Sequence, residues 1–194
     1  MGIFDTAPPH TIQFLCRSST IAKEISDESS TSASIVESKK VKRQRTIETS
    51  IVKVRIVELI RDLDEAHEEN EKHYGLFVWP SAHLLCRFIA SEAETLFRNN
   101  VILELGCGTG LPSILASLCG ARKVYLTDRP DAADIKRNAE ANIDVNNIQT
   151  RADFIPLKWG DMHVSDEVLS IFRTVDIVLA ADCFYQSEGR IANA

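Results

Sequence analysis

Val101-Ile102-Leu103-Glu104-Leu105-Gly106-Cys107-Gly108-Thr109-Gly110 is the stretch that decides the fold. Its first five residues, four of them apolar, predict a short strand buried on both faces, as a central parallel strand must be. Three glycines at alternate positions follow, and then a helix with Ile114, Leu115 and Leu118 turned inward and Gly120 at its C′ position. Strand, glycine-rich turn and helix together receive a nucleotide-like ligand at the end of an open sheet. Glycine is required because the backbone turns sharply there and the ligand approaches it closely. The spacing narrows the ligand. A dinucleotide fingerprint, GxGxxG, would place its third glycine at Leu111, whereas this chain has Gly110. The phosphate-loop pattern GxxxxGK[ST] is absent.

Downstream, Lys123-Val124-Tyr125-Leu126-Thr127-Asp128 reads as a second strand ending in an acid. A helix over 132–143, a third strand over 152–157 interrupted by Pro156, and a helix around 168–172 follow. Asp176-Ile177-Val178-Leu179-Ala180-Ala181-Asp182 is a fourth, apolar strand that ends in an acid. Strands alternating with helices predict a parallel α/β sheet. Upstream, the aromatic run Tyr74-Gly75-Leu76-Phe77-Val78-Trp79 stops at Pro80, which suits the first turn of a helix. That helix is expected to bury Leu84, Leu85, Phe88 and Ile89 on one face. The acidic stretch 62–71 reads as a solvated loop or a short exposed helix, and residues 51–57, rich in β-branched side chains, as a strand. The chain therefore divides into a Ser/Thr-rich tail over 1–50, expected to be disordered, and an α/β domain over 51–194. The tail closes with Lys39-Lys40-Val41-Lys42-Arg43-Gln44-Arg45, a nuclear import signal or a solvated charge run.

The 194 residues carry 22 Lys+Arg and 28 Asp+Glu, a net charge of −6. With 44% hydrophobic and 26% charged residues, wholesale disorder is excluded. The acidic balance speaks against direct nucleic-acid binding along the surface. No run approaches the roughly 18 apolar residues of a membrane span, and no secretory leader is legible at the start. Gly2 and Thr6 fit the loose myristoylation pattern, but a single acyl chain anchors poorly, so no membrane partner is expected. The five cysteines are scattered, without a CxxC or a metal-ligand spacing, so no metal is expected and a reducing compartment is.

Asp128 sits where an acid at a strand end can accept both hydroxyls of a ribose; by itself it would read as a solvated Asp. Asp182 ends the fourth strand beside the first, at the point where the strand order reverses and ligands collect. The competing reading is a cap on the following turn.

Glu104-x-Gly106-x-Gly108-x-Gly110 followed by Asp128 resembles motif I of the seven-strand S-adenosylmethionine methyltransferases. Three further blocks, Tyr74-Gly75-x-x-Val78-Trp79-Pro80-Ser81-Ala82, Leu157-x-Trp159-Gly160 and Ala181-Asp182-x-x-Tyr185, are similar to those of the methyltransferase-like family 16 group of protein methyltransferases. The resemblance runs from about 52 to 188. It implies a Rossmann-like class I methyltransferase sheet and S-adenosyl-L-methionine as cofactor. Trp79, Glu104, Gly106, Gly108, Gly110, Asp128, Trp159 and Ala181 are then the cofactor-binding residues. It implies transfer to arginine or lysine side chains of a protein substrate, with histone arginine a candidate, in the nucleus and cytoplasm. Asp182 would orient the target nitrogen, with Tyr185 as a wall or hydrogen-bond partner. Asp182-Cys183-Phe184-Tyr185 departs from the DPPY-like block expected of a nucleic-acid amino-methyltransferase, and the paired-Glu loop of the dedicated arginine enzymes is not found.

The sequence stops soon after the fourth strand, where the resemblance implies three more strands and about 80 further residues. The expectation is a C-terminally incomplete domain whose fourth strand is an exposed edge, open to self-association or to a chaperone. The rival to the enzyme is a non-catalytic interaction protein, or an inactive truncated form, that retains the cofactor loop.

Overall fold

The structure is a computed structural model that describes residues 8–21, 45–58, 74–160 and 163–183. Strands β3 (Val101–Leu105), β4 (Lys123–Asp128), β5 (Ala152–Pro156) and β6 (Ile177–Ala180) form one parallel sheet in the order β5-β4-β3-β6. This is the α/β sheet that the sequence predicts. Parallel register sets Ile102, Val124, Ala152 and Ile177 in one row, and Glu104, Leu126, Phe154 and Leu179 in the next row of the same face. Helices α2 (Leu111–Leu118) and α3 (Ala133–Val145) cover that face. Pro156 is tolerated because β5 is an edge strand, with no further neighbour among the described residues. Val178, on the opposite face of β6, is 57% exposed.

Residues 111–117 of α2 are all buried, serines included. A helix apolar on every side needs cover on every side. The sheet supplies one side and a second, two-stranded antiparallel sheet supplies another, made of β1 (His10–Ile21) and β2 (Arg45–Ile56). The expectation of a disordered tail over 1–50 is therefore corrected for β1 and the start of β2. Alternation explains it: Phe14 and Cys16 point inward with Ile12 packed beside them, and Thr11, Gln13 and Leu15 point outward. Across the pair, Val54 and Ile56 are fully buried in the same core. The basic cluster lies outside the described residues up to 44, as does the acidic stretch 62–71.

The first long helix, α1 (Pro80–Ser91), starts at Pro80 as expected, with Trp79 as its N-cap. Its buried face is corrected in part: Ile89 is buried and Leu85 packs against the core as expected. Cys86, Ile89 and Ala90 are buried, whereas Leu84 is 63% and Phe88 49% exposed. Apolar residues occur on both faces of this helix, and the face with smaller side chains packs against α2 and β1. Gly120 closes α2 in a Schellman motif: Ala121 N–H donates to Ala116 O at 3.0 Å and Gly120 N–H to Ser117 O at 3.1 Å. The last helix, α4 (Asp166–Phe172), is N-capped by Ser165 and buries none of its residues.

Candidate functional site

The loop after β3 is built by its glycines and by two acids. Gly106, Gly108 and Gly110 have φ of +59°, +52° and +78°, left-handed values that side chains disfavour. A Cβ on Gly106 would lie 2.6 Å from the Cys183 Cβ, and one on Gly108 would lie 3.0 Å from the Gly75 carbonyl oxygen. The loop is thereby in contact with the end of β6 and with the aromatic run 74–79. Glu104, 2% exposed on β3, accepts a hydrogen bond from Ser113 N–H at 3.0 Å through Oε2 and so holds the first turn of α2. Asp128 Oδ2 accepts from Gly108 N–H at 2.9 Å, and its Oδ1 accepts from Arg129 N–H at 2.8 Å. Cys107 N–H donates to Thr127 O at 2.9 Å, and Thr127 Oγ1 to Glu104 O at 2.7 Å, stitching loop and strands together.

These elements enclose a cavity of about 680 Å³. Trp79, Glu104, Gly106, Gly108, Asp128, Trp159, Ala181 and Asp182 all line it. Gly110 does not: it is the buried N-cap of α2, and a Cβ there would lie 2.4 Å from Leu126 Cδ2. It packs the start of α2 closely on β4. Tyr185 lies outside the described residues. Trp79 donates from Nε1 to Tyr74 O at 2.9 Å and meets Tyr74 and Phe77 edge-to-face at centroid distances of 5.9 and 5.5 Å. Trp159 lies across the loop, its ring edge 3.6 Å from a Cβ placed on Gly106. Asp182 is exposed, adopts φ +50°, a region Asp tolerates better than most residues, and accepts a hydrogen bond from Ser81 Oγ at the start of α1.

Burial controls the charges. It pushes the Glu104 carboxyl up to about 8; hydrogen bonding from Ser113 opposes the rise and the nearby Asp128 adds to it. Burial raises Asp128 too, against the pull of the Gly108 and Arg129 amides. Cys107 and Cys183, which also line the cavity, are raised mainly by burial and stay protonated thiols at neutral pH. Among the described residues, no group of His, Cys, Asp and Glu side chains could hold a metal ion, and no helix is long and apolar enough to cross a membrane.

Two residues that sequence reasoning missed tie β2 to α3, and the first of them reaches the glycine loop. Asn142, fully buried on α3, accepts from Val57 N–H at 2.6 Å and donates to Val57 O at 3.1 Å and Thr109 O at 3.0 Å. One turn on, Asn146 repeats the pattern on Arg55, accepting from its N–H at 2.8 Å and donating to its carbonyl at 2.6 Å. Two amides at i and i+4 thus act as a surrogate strand along β2 and its extension. The signal was present, as Asn at 142 and 146 at helical spacing, but nothing local shows which backbone they would meet.

Fold and site define a Rossmann-like α/β domain with a nucleotide-type cofactor cavity at the carboxyl ends of its strands. A family model described as lysine methyltransferase, methyltransferase family 16, matches residues 61–190, and the chain belongs to that family. It is 37% identical over 113 residues to the histone-arginine methyltransferase METTL23 of Xenopus laevis, covering 58% of this chain and 46% of that protein. It is 34% identical over 137 residues to methyltransferase-like protein 23 of Dictyostelium discoideum, covering 62% and 52%. It is also 39% identical over 123 residues to the protein-lysine methyltransferase METTL21E of Mus musculus, covering 60% and 48%. The chain spans about half the length of the curated relatives it matches.

Proposed function

We propose that the cavity holds S-adenosylmethionine and that the protein is an S-adenosylmethionine-dependent protein methyltransferase acting on arginine or lysine side chains, with histones a candidate substrate. The observation that carries this reading is convergence. A left-handed glycine loop, a strand-end acid, two tryptophans and a second strand-end acid open onto one cavity in a member of this family.

The donor set suits the cofactor. A carboxylate offers about four acceptor positions. Backbone amides occupy two of those on Asp128, which leaves two for the vicinal hydroxyls of a ribose. Glu104 faces the same cavity, where a cation would stabilise its ionised form. The faces of Trp79 and Trp159 suit a planar base or a cationic group. When bound, the cofactor supplies an electrophilic methyl group on a sulfonium. Asp182, held by Ser81, accepts a hydrogen bond from the incoming nitrogen, aligns it and offsets developing positive charge. A lysine nitrogen would first lose its proton, of ordinary pKa about 10.4, to solvent, and the carboxylate would then face the positive charge that returns to the nitrogen as it gains the methyl group. Tyr185 is proposed as its neighbour.

The names of the relatives, histone-arginine and protein-lysine methyltransferases, support a protein substrate. Nuclear and cytoplasmic location is proposed on the basic cluster 39–45. Self-association is proposed through β6, where Val178 is exposed. Incubation of the purified protein with methyl-labelled cofactor and histones tests the function. Label on arginine or lysine side chains, lost in Asp182→Ala, is expected. A protein that binds cofactor yet labels nothing would favour the non-catalytic interaction protein.

A further inference from the structure

The end of β2 reaches both walls of the cavity through consecutive residues. Val57 is bonded to Asn142, which holds Thr109 of the glycine loop. Glu58, the next residue, accepts a hydrogen bond through Oε1 from Val78 N–H at 2.7 Å, in the aromatic wall 74–79. Its other oxygen lies 3.6 Å from His10 Nε2 of β1, and its side chain is only 12% exposed.

We propose that Glu58 is a positioning residue for the cofactor cavity: its carboxylate, fixed by the N-terminal two-stranded sheet, sets the aromatic wall against the glycine loop. The inference rests on the cofactor reading above, and its test separates the two.

Three observations carry it. Val78 N–H precedes α1 and belongs to no helix or sheet, so Glu58 gives it the partner that a part-buried amide needs. Among the described residues, Trp79 Nε1 to Tyr74 O and Ala82 N–H to Trp79 O are bonds within the wall and the start of α1, Ser81 Oγ to Asp182 ties that start to the end of β6, and Leu76 packs on Ile135 of α3, so Glu58 is the tie that comes from β2. Wall and loop already touch, since a Cβ built on Gly108 would sit 3.0 Å from the Gly75 carbonyl oxygen and 3.4 Å from Gly75 Cα. A shift of the wall therefore changes the width of the cavity at the loop, where Trp79 and Gly108 face the same space. The acceptor, rather than the negative charge, is what the role requires. Glu58→Gln keeps an accepting oxygen and Glu58→Ala removes it.

The chain's two tryptophans both line the cavity, so a Trp159→Phe background leaves Trp79 as a reporter on the wall. In that background, without ligand, Glu58→Ala is expected to red-shift Trp79 emission and raise its quenching by acrylamide, with Glu58→Gln close to the parent. In the natural sequence, calorimetry with S-adenosylhomocysteine is expected to show about tenfold weaker binding for Glu58→Ala and less than threefold for Glu58→Gln. Unchanged emission together with binding within twofold in Glu58→Ala would overturn the proposal. So would a Gln variant as impaired as Ala, which would mark a charge effect. If the unsubstituted protein binds no S-adenosylhomocysteine, the cofactor reading fails, and Trp79 emission alone decides the role of Glu58. If Glu58→Ala does not fold, Glu58→Met, which refills the volume without an acceptor, replaces it. A Met variant that also fails to fold assigns Glu58 to stability alone and overturns the proposal.

Discussion

Replacing Asn142 by Leu removes one amide of nearly the same size from the junction of α3, β2 and the glycine loop. Three backbone groups lose their partner: Val57 N–H, Val57 C=O and Thr109 C=O. Each group left unsatisfied in a buried place costs about 1–3 kcal/mol, carbonyls toward the low end. The three together cost about 3–6 kcal/mol, and burial of the leucine returns about 1–2 kcal/mol. A net loss of about 2–4 kcal/mol is a large part of the roughly 5–15 kcal/mol that holds a domain together. Asn146→Leu is the matched control. Its bonds to Arg55 are exposed, so water takes over and the loss is expected to stay below about 1 kcal/mol. Urea titration followed by circular dichroism reads both. With a slope of about 1–3 kcal/mol per molar, Asn142→Leu should lower the midpoint by about 1 M or more, and Asn146→Leu by clearly less. Two variants within about 0.5 kcal/mol of the parent would refute the view that side-chain amides bind the N-terminal sheet to the site.

Other outcomes follow from the same geometry. The Glu104 carboxyl sits at about 8 when folded, against its ordinary 4.5, so the folded chain holds the extra proton between those values. Its stability is then full at low pH, falls by up to about 1.4 kcal/mol per unit as pH rises through that window, and levels above it. Thermal melts from pH 5 to 8.5 should show a flatter profile for Glu104→Gln; parallel profiles would contradict the assignment. Gly110→Ala forces a Cβ onto Leu126 at φ +78° and should lower stability by several kcal/mol while leaving the lining of the cavity in place; a melt unchanged within a degree would argue against the packing role. Val178→Lys should shift any oligomer toward monomer on size exclusion. Alanines at Lys39, Lys40, Lys42 and Arg43 in a large fluorescent fusion should reduce nuclear signal, and unchanged signal would remove the import reading.

The span from β3 to β4 was legible because its constraints are local. Buried parallel strands must be apolar, and a backbone that turns sharply against a neighbour must be glycine. Spacing alone does not show what each glycine's Cβ position faces, and at Gly110 it faces Leu126 of β4. The β1–β2 pair was hidden by composition. Serine and threonine dominate residues 18–38, while the alternation of Ile12, Phe14 and Cys16 is short, and its partner lies far along the chain. The face of α1 was partly misassigned because Leu84 and Phe88 are larger than Cys86 and Ala90, and size is a poor guide where helices pack closely. Asn142 and Glu58 act through the backbone of distant segments, a relation that no local pattern encodes.

The most direct measurement of the central claim is calorimetric titration of the purified protein with S-adenosylhomocysteine, with Asp128→Ala in parallel. The account predicts one site per chain and affinity at least about tenfold weaker in the variant, since removing this carboxylate costs its hydrogen bonds to a ribose and its hold on the Gly108 amide. Absence of binding in the unsubstituted protein, or equal affinity in both, would contradict it.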